Sequence, residues 1–262
     1  MKLAIFGATG RMGQAVTRIA HEAEDIQIVG AMSGADDPHL GRDIGELAGV
    51  GTIGVELSAD IASGLLGAEA LIDFSSPQAT EELFAQAQRA GVAVVSGTTG
   101  MDDAGWAMID QAAQKVPVVW AANMSRGVQV LAEVVRHAVE RLGLEFDVEI
   151  VDVHHRKKVD SPSGTAIRLA EAAQEVRPDL KEVRGRDGIV GARSTDEMGI
   201  FGVRGGDVIG DHTVHLLGNG ERLELTHRAT DRSLFARGAV SAARFAVGKP
   251  PGRYTIADVL GG

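Results

Sequence analysis

The chain contains no cysteine. That excludes disulfides, thiolate-held zinc, iron–sulfur clusters and any thiol nucleophile, and it fits a reducing compartment. Aromatic residues are scarce, with two tryptophans and a single tyrosine, Tyr254. Basic side chains are outnumbered: 26 Lys and Arg face 36 Asp and Glu, for a formal charge of −10. A surface of that sign is wrong for neutralising phosphates, so no nucleic-acid partner is expected. Long apolar runs are missing as well. Only Leu3 to Phe6 precede Gly7, too few for a signal-peptide core, and nothing approaches the ~18 apolar residues of a membrane span. A cytoplasmic protein without a membrane partner is the expectation. Glycine, by contrast, is abundant: 34 of 262 residues, about 13% against a usual ~7%. The glycines fall in short motifs at segment ends, as turns built for close backbone approach do.

The length allows one to two domains. In the first half, short β-like runs alternate with amphipathic stretches. Leu3 to Phe6 ends at Gly7, and Met12, Val16, Ile19 and Ala20 follow at helical spacing. The alternation predicts further strands over 26–31, 70–74, 92–96 and 116–121, with helices opening at Pro77 and Asp102. Such a pattern belongs to a parallel sheet covered by helices on both faces. Beyond residue 125 the texture changes. A helical stretch over 128–142 precedes a β-like run over 146–153, and a Ser-Pro-Ser-Gly-Thr turn opens another helix ending near Glu175. From Ile200 to His227, β-like runs are joined by short glycine-containing turns with no room for crossover helices, which predicts a mixed or antiparallel sheet. A helix over about 233–247 and a strand-like piece close the chain, in a segment able to rejoin the first domain. The expected class is α/β: an N-terminal Rossmann-type, doubly wound parallel sheet, then a second α+β domain on the mixed sheet. No internal repeat is visible.

Between the first strand and the first helix lies Gly7-Ala8-Thr9-Gly10-Arg11-Met12-Gly13. There a Rossmann unit offers backbone N–H groups and a helix dipole to a pyrophosphate. The GxxGxxG spacing is one residue longer than GxGxxG, so position carries more weight than letters. An acid that would bind the adenosine ribose is expected about 20 residues on. Ser33 stands there instead, with Asp36 and Asp37 close behind. Without a carboxylate at that point a 2′-phosphate is not repelled, and Arg11 could supply positive charge, so both NADH and NADPH are compatible. Two more strand-end turns, Gly97-Thr98-Thr99-Gly100 and Ala121-Ala122-Asn123-Met124-Ser125, favour a nicotinamide pocket.

The stretch His154-His155-Arg156-Lys157-Lys158, followed by Asp160-Ser161-Pro162-Ser163-Gly164-Thr165, concentrates positive potential beside a helix start. A carboxylate could be held by the side chains and by the N–H groups of Gly164 and Thr165. The plainer alternative is a solvated charge run next to a capped helix. Hydride chemistry also needs a proton, for which His154 and Lys158 are the candidates. In an extended segment residues four apart point to the same side, placing a site between them. Other chemistries fall away. A short-chain dehydrogenase needs Tyr with Lys four residues on, but Tyr254 is followed at that distance by Asp258. A phosphorylating semialdehyde dehydrogenase needs a cysteine. His212 and His215, three apart in an extended run, point to opposite faces and read as sheet positions, so no metal is expected.

Taken together, GATGRMG, the DFSSP segment from Asp73, GTTG, AANMS, HHRKKVDSPSGTA, VRGGDVIGDHTV and GERLELTHRA resemble the dihydrodipicolinate (4-hydroxy-tetrahydrodipicolinate) reductase family over essentially the whole chain. The resemblance implies a nucleotide domain over 1–125 completed by 234–262, and a substrate domain over 126–233 whose sheet assembles a homotetramer. It further implies closure of the domains around both ligands. The activity implied is NADH- or NADPH-dependent reduction of a cyclic hydroxylated dicarboxylate to tetrahydrodipicolinate, with loss of water, in the diaminopimelate route to lysine. Proton transfer falls on His154 and Lys158, and substrate binding on His155, Gly164 and Thr165 with Ser163 adjacent. Cofactor contacts fall on Gly7 to Met12, Gly97 to Thr99 and Ala121 to Met124. Ser33 departs from the family's usual acid and Met124 from a common Phe. A catalytically silent dinucleotide-binding sensor, or a reductase of a related cyclic dicarboxylate, are the alternative functions.

Overall fold

A computed structural model describes residues 1–261, and each apolar run of the first half forms a strand followed by a helix or turn. In chain order these are β1 (Lys2–Phe6), α1 (Arg11–His21), β2 (Gln27–Met32), α2 (Ile44–Ala48), β3 (Leu57–Ser58), α3 (Ile61–Gly64) and β4 (Ala70–Asp73). Next come α4 (Thr80–Ala90), β5 (Ala93–Ser96), α5 (Asp103–Ala113) and β6 (Pro117–Trp120). The middle of the chain supplies α6 (Arg126–Leu142), β7 (Asp147–His154), α7 (Gly164–Gln174), β8 (Lys181–Val183), β9 (Glu197–Arg204), β10 (Gly210–Leu217) and β11 (Arg222–Ala229). The last part holds α8 (Ser233–Ala246), β12 (Gly252–Tyr254) and α9 (Ile256–Val259). Contacts divide the described residues into two compact units, 1–125 with 233–261, and 126–232.

The first unit is built on a sheet of order β12-β6-β5-β4-β1-β2-β3, with all of these pairs parallel. Period-two alternation explains why both faces are covered. Leu3 and Ile5 of β1 join one core with Val16 and Ala20 of α1 and Ala239 and Ala243 of α8, while Ala4 and Phe6 join another with Leu83 and Phe84 of α4 and Ile109 of α5. The order runs outward from β1 in both directions, so the chain reverses at β1 and the turn after it lies at a topological switch point.

The second unit carries a mixed sheet of order β11-β10-β7-β9-β8, with β7, β9 and β8 parallel and β10 and β11 antiparallel. Its burial alternates along β7 and β10. One face packs Val148, Ile150, Val214 and Leu216 against Val135 and Val139 of α6 and Leu169 of α7. The opposite face is open, with Val203 of β9 half exposed. Along β7 the inward row runs Val148, Ile150, Asp152, His154, changing from apolar to ionisable at the strand's carboxyl end. No helix among the described residues is long and apolar enough to cross a membrane.

Candidate functional site

In the second unit the site begins where β7 ends. Alternation keeps Asp152 and His154 on the buried face, and β10 presents His212 to the same point. Asp152 Oδ1 lies 2.6 Å from His154 Nδ1 and 3.5 Å from His212 Nε2. The other carboxylate oxygen accepts from the Ser163 N–H at 2.7 Å and from Arg204 Nη2 of β9 at 3.1 Å. Ser163 caps α7 by accepting from Ala166 N–H, and its hydroxyl is 3.0 Å from His212 Nε2. The imidazoles of His154 and His212 meet edge to face at 5.1 Å.

These neighbours act on one another in opposite directions. Burial pushes His154 below the ordinary histidine pKa; Asp152 resists this, while Lys158 and Arg204 add to it. Burial alone would raise Asp152, but the Ser163 N–H, His154 and Arg204 together hold it below the usual carboxylate range. His212 is pushed down to about 4, chiefly by burial. At neutral pH the arrangement is therefore an ionised carboxylate between two neutral imidazoles. Asp152, His154 and His212 offer ligand atoms within 4.8 Å of one another. The guanidinium on the same carboxylate opposes a cation there, and the geometry suits proton transfer.

The chain from His154 to Lys158 corrects the expectation of an extended segment. After His154 it turns: the Lys158 N–H donates to His155 O at 3.1 Å, and the His155 N–H to Val208 O at 2.7 Å. Shared strand direction therefore does not relate His154 to Lys158; the turn folds Lys158 back until its charge is felt at His154. Lys158 Nζ rests on Asp160 at 2.8 Å. His155 Nε2 lies 3.2 Å from Arg232 Nη2. Gly164 and Thr165 form the first turn of α7, where a Cβ on Gly164 would meet open space. Arg156 and Lys157 are exposed. Asp152 and Arg204 escaped the sequence reading, and His212 was read only as a sheet position, which β10 bears out; strict alternation from Val148 marks Asp152 as an acid on a buried face.

In the first unit the other candidates gather at the carboxyl ends of parallel strands. Gly7 takes φ +73°, and the Gly7 and Ala8 N–H groups both donate to Met32 O at 2.9 and 3.1 Å. A Cβ on Gly13 would stand 2.2 Å from Gly7 O, so α1 starts hard against the turn. No side chain caps α1 at Gly10 and its first turn holds no acid, so the dipole is unopposed, as a bound pyrophosphate requires. Arg11 is exposed beside it and Met12 is half-buried. Ser33 is buried and donates its N–H to Ser58 O at 3.1 Å. The nearby acid is Asp37, whose carboxylate accepts from the Thr9 hydroxyl at 2.6 Å.

The turn after β5 is anchored from below. Asp73, buried at the end of β4, accepts from Ser96 Oγ at 2.6 Å and Thr98 Oγ1 at 2.9 Å, and burial raises its pKa against these hydrogen bonds. Gly97 follows β5 and Thr99 is exposed. Ala121, Ala122, Asn123 and Met124 follow β6; Asn123 Oδ1 accepts from Ser125 N–H at 2.8 Å, and Met124 is buried. These turns, with Gly7 to Gly13, fit a dinucleotide laid across the switch point.

Comparison with known proteins covers the whole chain. The family model described as "Dihydrodipicolinate reductase, N-terminus" matches residues 1–124, and "Dihydrodipicolinate reductase, C-terminus" matches 127–260. The 4-hydroxy-tetrahydrodipicolinate reductase of Parvibaculum lavamentivorans is 47% identical over 100% of this chain and 98% of that protein. That of Anaeromyxobacter dehalogenans (strain 2CP-1) is 47% identical over 99% and 97%. Among solved structures, a dipicolinate-bound dihydrodipicolinate reductase from Paenisporosarcina sp. TG-14 shares the fold with TM-score 0.78 at 23% identity, covering 97% of each chain. An amine dehydrogenase from Mycobacterium smegmatis shares it more loosely, with TM-score 0.68 at 14% identity over 98% and 95%.

Proposed function

The chain belongs to the dihydrodipicolinate reductase family, and from that premise we propose that it reduces 4-hydroxy-tetrahydrodipicolinate to tetrahydrodipicolinate, releasing water, in the diaminopimelate route to lysine. The observation that carries this reading is the ionisable cluster at the end of β7 beside the N-terminus of α7. The dicarboxylate is held by Lys158, His155, Ser163 and the N–H groups of Gly164 and Thr165, which together supply positive charge and donors for an anion. A reduced nicotinamide dinucleotide, held by residues 7–13, 97–99 and 121–124, supplies hydride when bound. His154 and Lys158 deliver the proton that the reduced carbon skeleton must gain. Burial lowers the pKa of the His154 imidazole, so the ring is neutral at neutral pH and readily gives up a proton it has gained.

Asp37 bears on the choice of nucleotide. A carboxylate at Thr9 of the glycine turn accepts from a ribose 2′-hydroxyl and repels a 2′-phosphate, so NADH is the better donor. The protein works as a cytoplasmic homotetramer, joined through the open face of the five-stranded sheet.

The deciding experiment follows loss of NADH, and separately NADPH, absorbance with enzymatically generated 4-hydroxy-tetrahydrodipicolinate. Substrate-dependent oxidation is expected, and His154→Gln and Lys158→Ala should each lower kcat by about 100-fold or more with little change in dinucleotide affinity. Folded protein that binds a dinucleotide but oxidises neither cofactor would point to a silent sensor or another cyclic dicarboxylate. Undiminished turnover in both variants would remove these residues from the chemistry.

A further inference from the structure

One buried group at the site has no part in the reaction as described above. Asp152 is fully buried, and each of its neighbours reaches it from a different element. Ser163 N–H comes from the start of α7, Arg204 from β9, His212 from β10, and His154 stands two residues along the same strand. A carboxylate held from so many sides has little freedom to move. Its Oδ1 is set 2.6 Å from Nδ1 of His154, and neither atom makes a hydrogen bond to any other group among the described residues. The opposite edge of the ring faces Gly210: a Cβ there would stand 2.9 Å from Nε2, and glycine leaves that edge clear.

We propose that Asp152 is a positioning residue for His154, its carboxylate receiving the Nδ1 proton and so fixing the ring orientation that leaves Nε2 to exchange protons with the substrate. The inference rests on the reading of His154 as the proton-transfer group. In the resting enzyme Nδ1 carries the hydrogen and Nε2 a lone pair. Nε2 takes a proton from solvent water and then passes it to the substrate, and the ring returns to its neutral form. Asp152 stays ionised throughout, because Arg204 and the Ser163 N–H stabilise its charge whatever His154 carries. Four groups face the imidazole: Asp152 favours its charged form, and Lys158, Arg204 and neutral His212 do not. Asp152 is thus the one carboxylate among them that supports the imidazolium.

Two measurements test this. Long-range 1H–15N spectra of 15N-histidine-labelled protein, with the His154 signals identified by their loss in His154→Gln, report which ring nitrogen carries the proton. The Nδ1–H tautomer is expected in the wild type, and the Nε2–H tautomer there overturns the proposal without any variant at Asp152. In kinetics, Asp152→Asn should lower kcat by about 30-fold or more, with KM for the dicarboxylate and dinucleotide affinity within about threefold. The alkaline limb of its kcat/KM profile, set by loss of the proton that His154 must donate, should move to lower pH, because the imidazole loses the carboxylate charge that raises its pKa. Asp152→Glu should recover part of the rate and the Nδ1–H tautomer. Retention of kcat in Asp152→Asn, or a loss with the pH profile unmoved, overturns the proposal and leaves Asp152 a structural role. If Asp152→Asn does not fold, the wild-type tautomer and Asp152→Glu decide. Full activity in His154→Gln would instead defeat the assignment of His154 on which the inference stands.

Discussion

His212 shows at a single residue how the buried cluster ties stability to pH. Its folded pKa of about 4 lies below the unfolded value of 6.5. As pH falls below 6.5 the unfolded chain takes up a proton that the folded one refuses, so stability is intact above 6.5 and falls until about pH 4. A gap of that size is worth roughly 3 kcal/mol. His154, whose pKa is also lowered by burial, adds a penalty of the same sign. Thermal melts between pH 7 and 4 should show a steady fall in Tm, and His212→Asn should flatten it. A fall that begins only below pH 4 in the wild type would mean that His212 is not held neutral. Asp37 carries a second prediction at this scale. Asp37→Asn should raise the ratio of kcat/KM for NADPH over NADH by about tenfold, as removal of one repulsive charge beside a phosphate permits. An unchanged ratio would place nucleotide choice elsewhere, Arg11 being the nearest cation in the turn.

Among the elements, α8 bears directly on the nucleotide turns. A Cβ on Gly238 would stand 1.7 Å from the Met124 carbonyl oxygen, backbone against backbone. Gly238→Ala must therefore push the helix or the 121–124 turn aside, at a cost of about 2 kcal/mol or more, and both Tm and dinucleotide affinity should fall. A melt and a dinucleotide titration like those of the wild type would show that the contact yields freely. The same elements show what could be read in advance. Leu3 to Phe6, residues 70–74 and residues 92–96 are apolar runs ending in turn residues, and each is a strand to within a residue or two. β3 and β8 span two and three residues, too few for any periodicity to register. β3 owes its place to Asp43, which caps α2 and also accepts from Ile53, Gly54 and Val55 N–H groups. The basic stretch was legible as composition, but its geometry was not. A turn at His155 to Lys158 built without glycine leaves no mark in the letters. Asp152 and His212 were legible in principle, since both sit in phase with the apolar residues of their strands, Ile150 and Val214.

For the whole molecule, the second sheet's uncovered face is the place to test assembly. Phe201, Val151, Thr213 and Thr226 form one cross-strand row on it. Replacing Val151 and Thr213 together by Arg should convert the proposed homotetramer into smaller species in sedimentation velocity, since charges set side by side in a buried sheet interface are not solvated. An unchanged sedimentation coefficient would assign assembly to another surface. The chain also crosses between its two units twice, near residues 125 and 232. The segment 126–232 is continuous, whereas the parallel sheet lacks its edge strand β12, and its core lacks α8, until residues 233–254 exist. A ribosome adding 5–20 residues per second would therefore leave β6 without its outer neighbour for on the order of ten seconds. The unit begun first is finished last, and a nascent chain stalled before α8 exposes the apolar seat of that alanine-rich helix, Ile72, Val95 and Val119 among it, to whatever chaperone or protease is at hand.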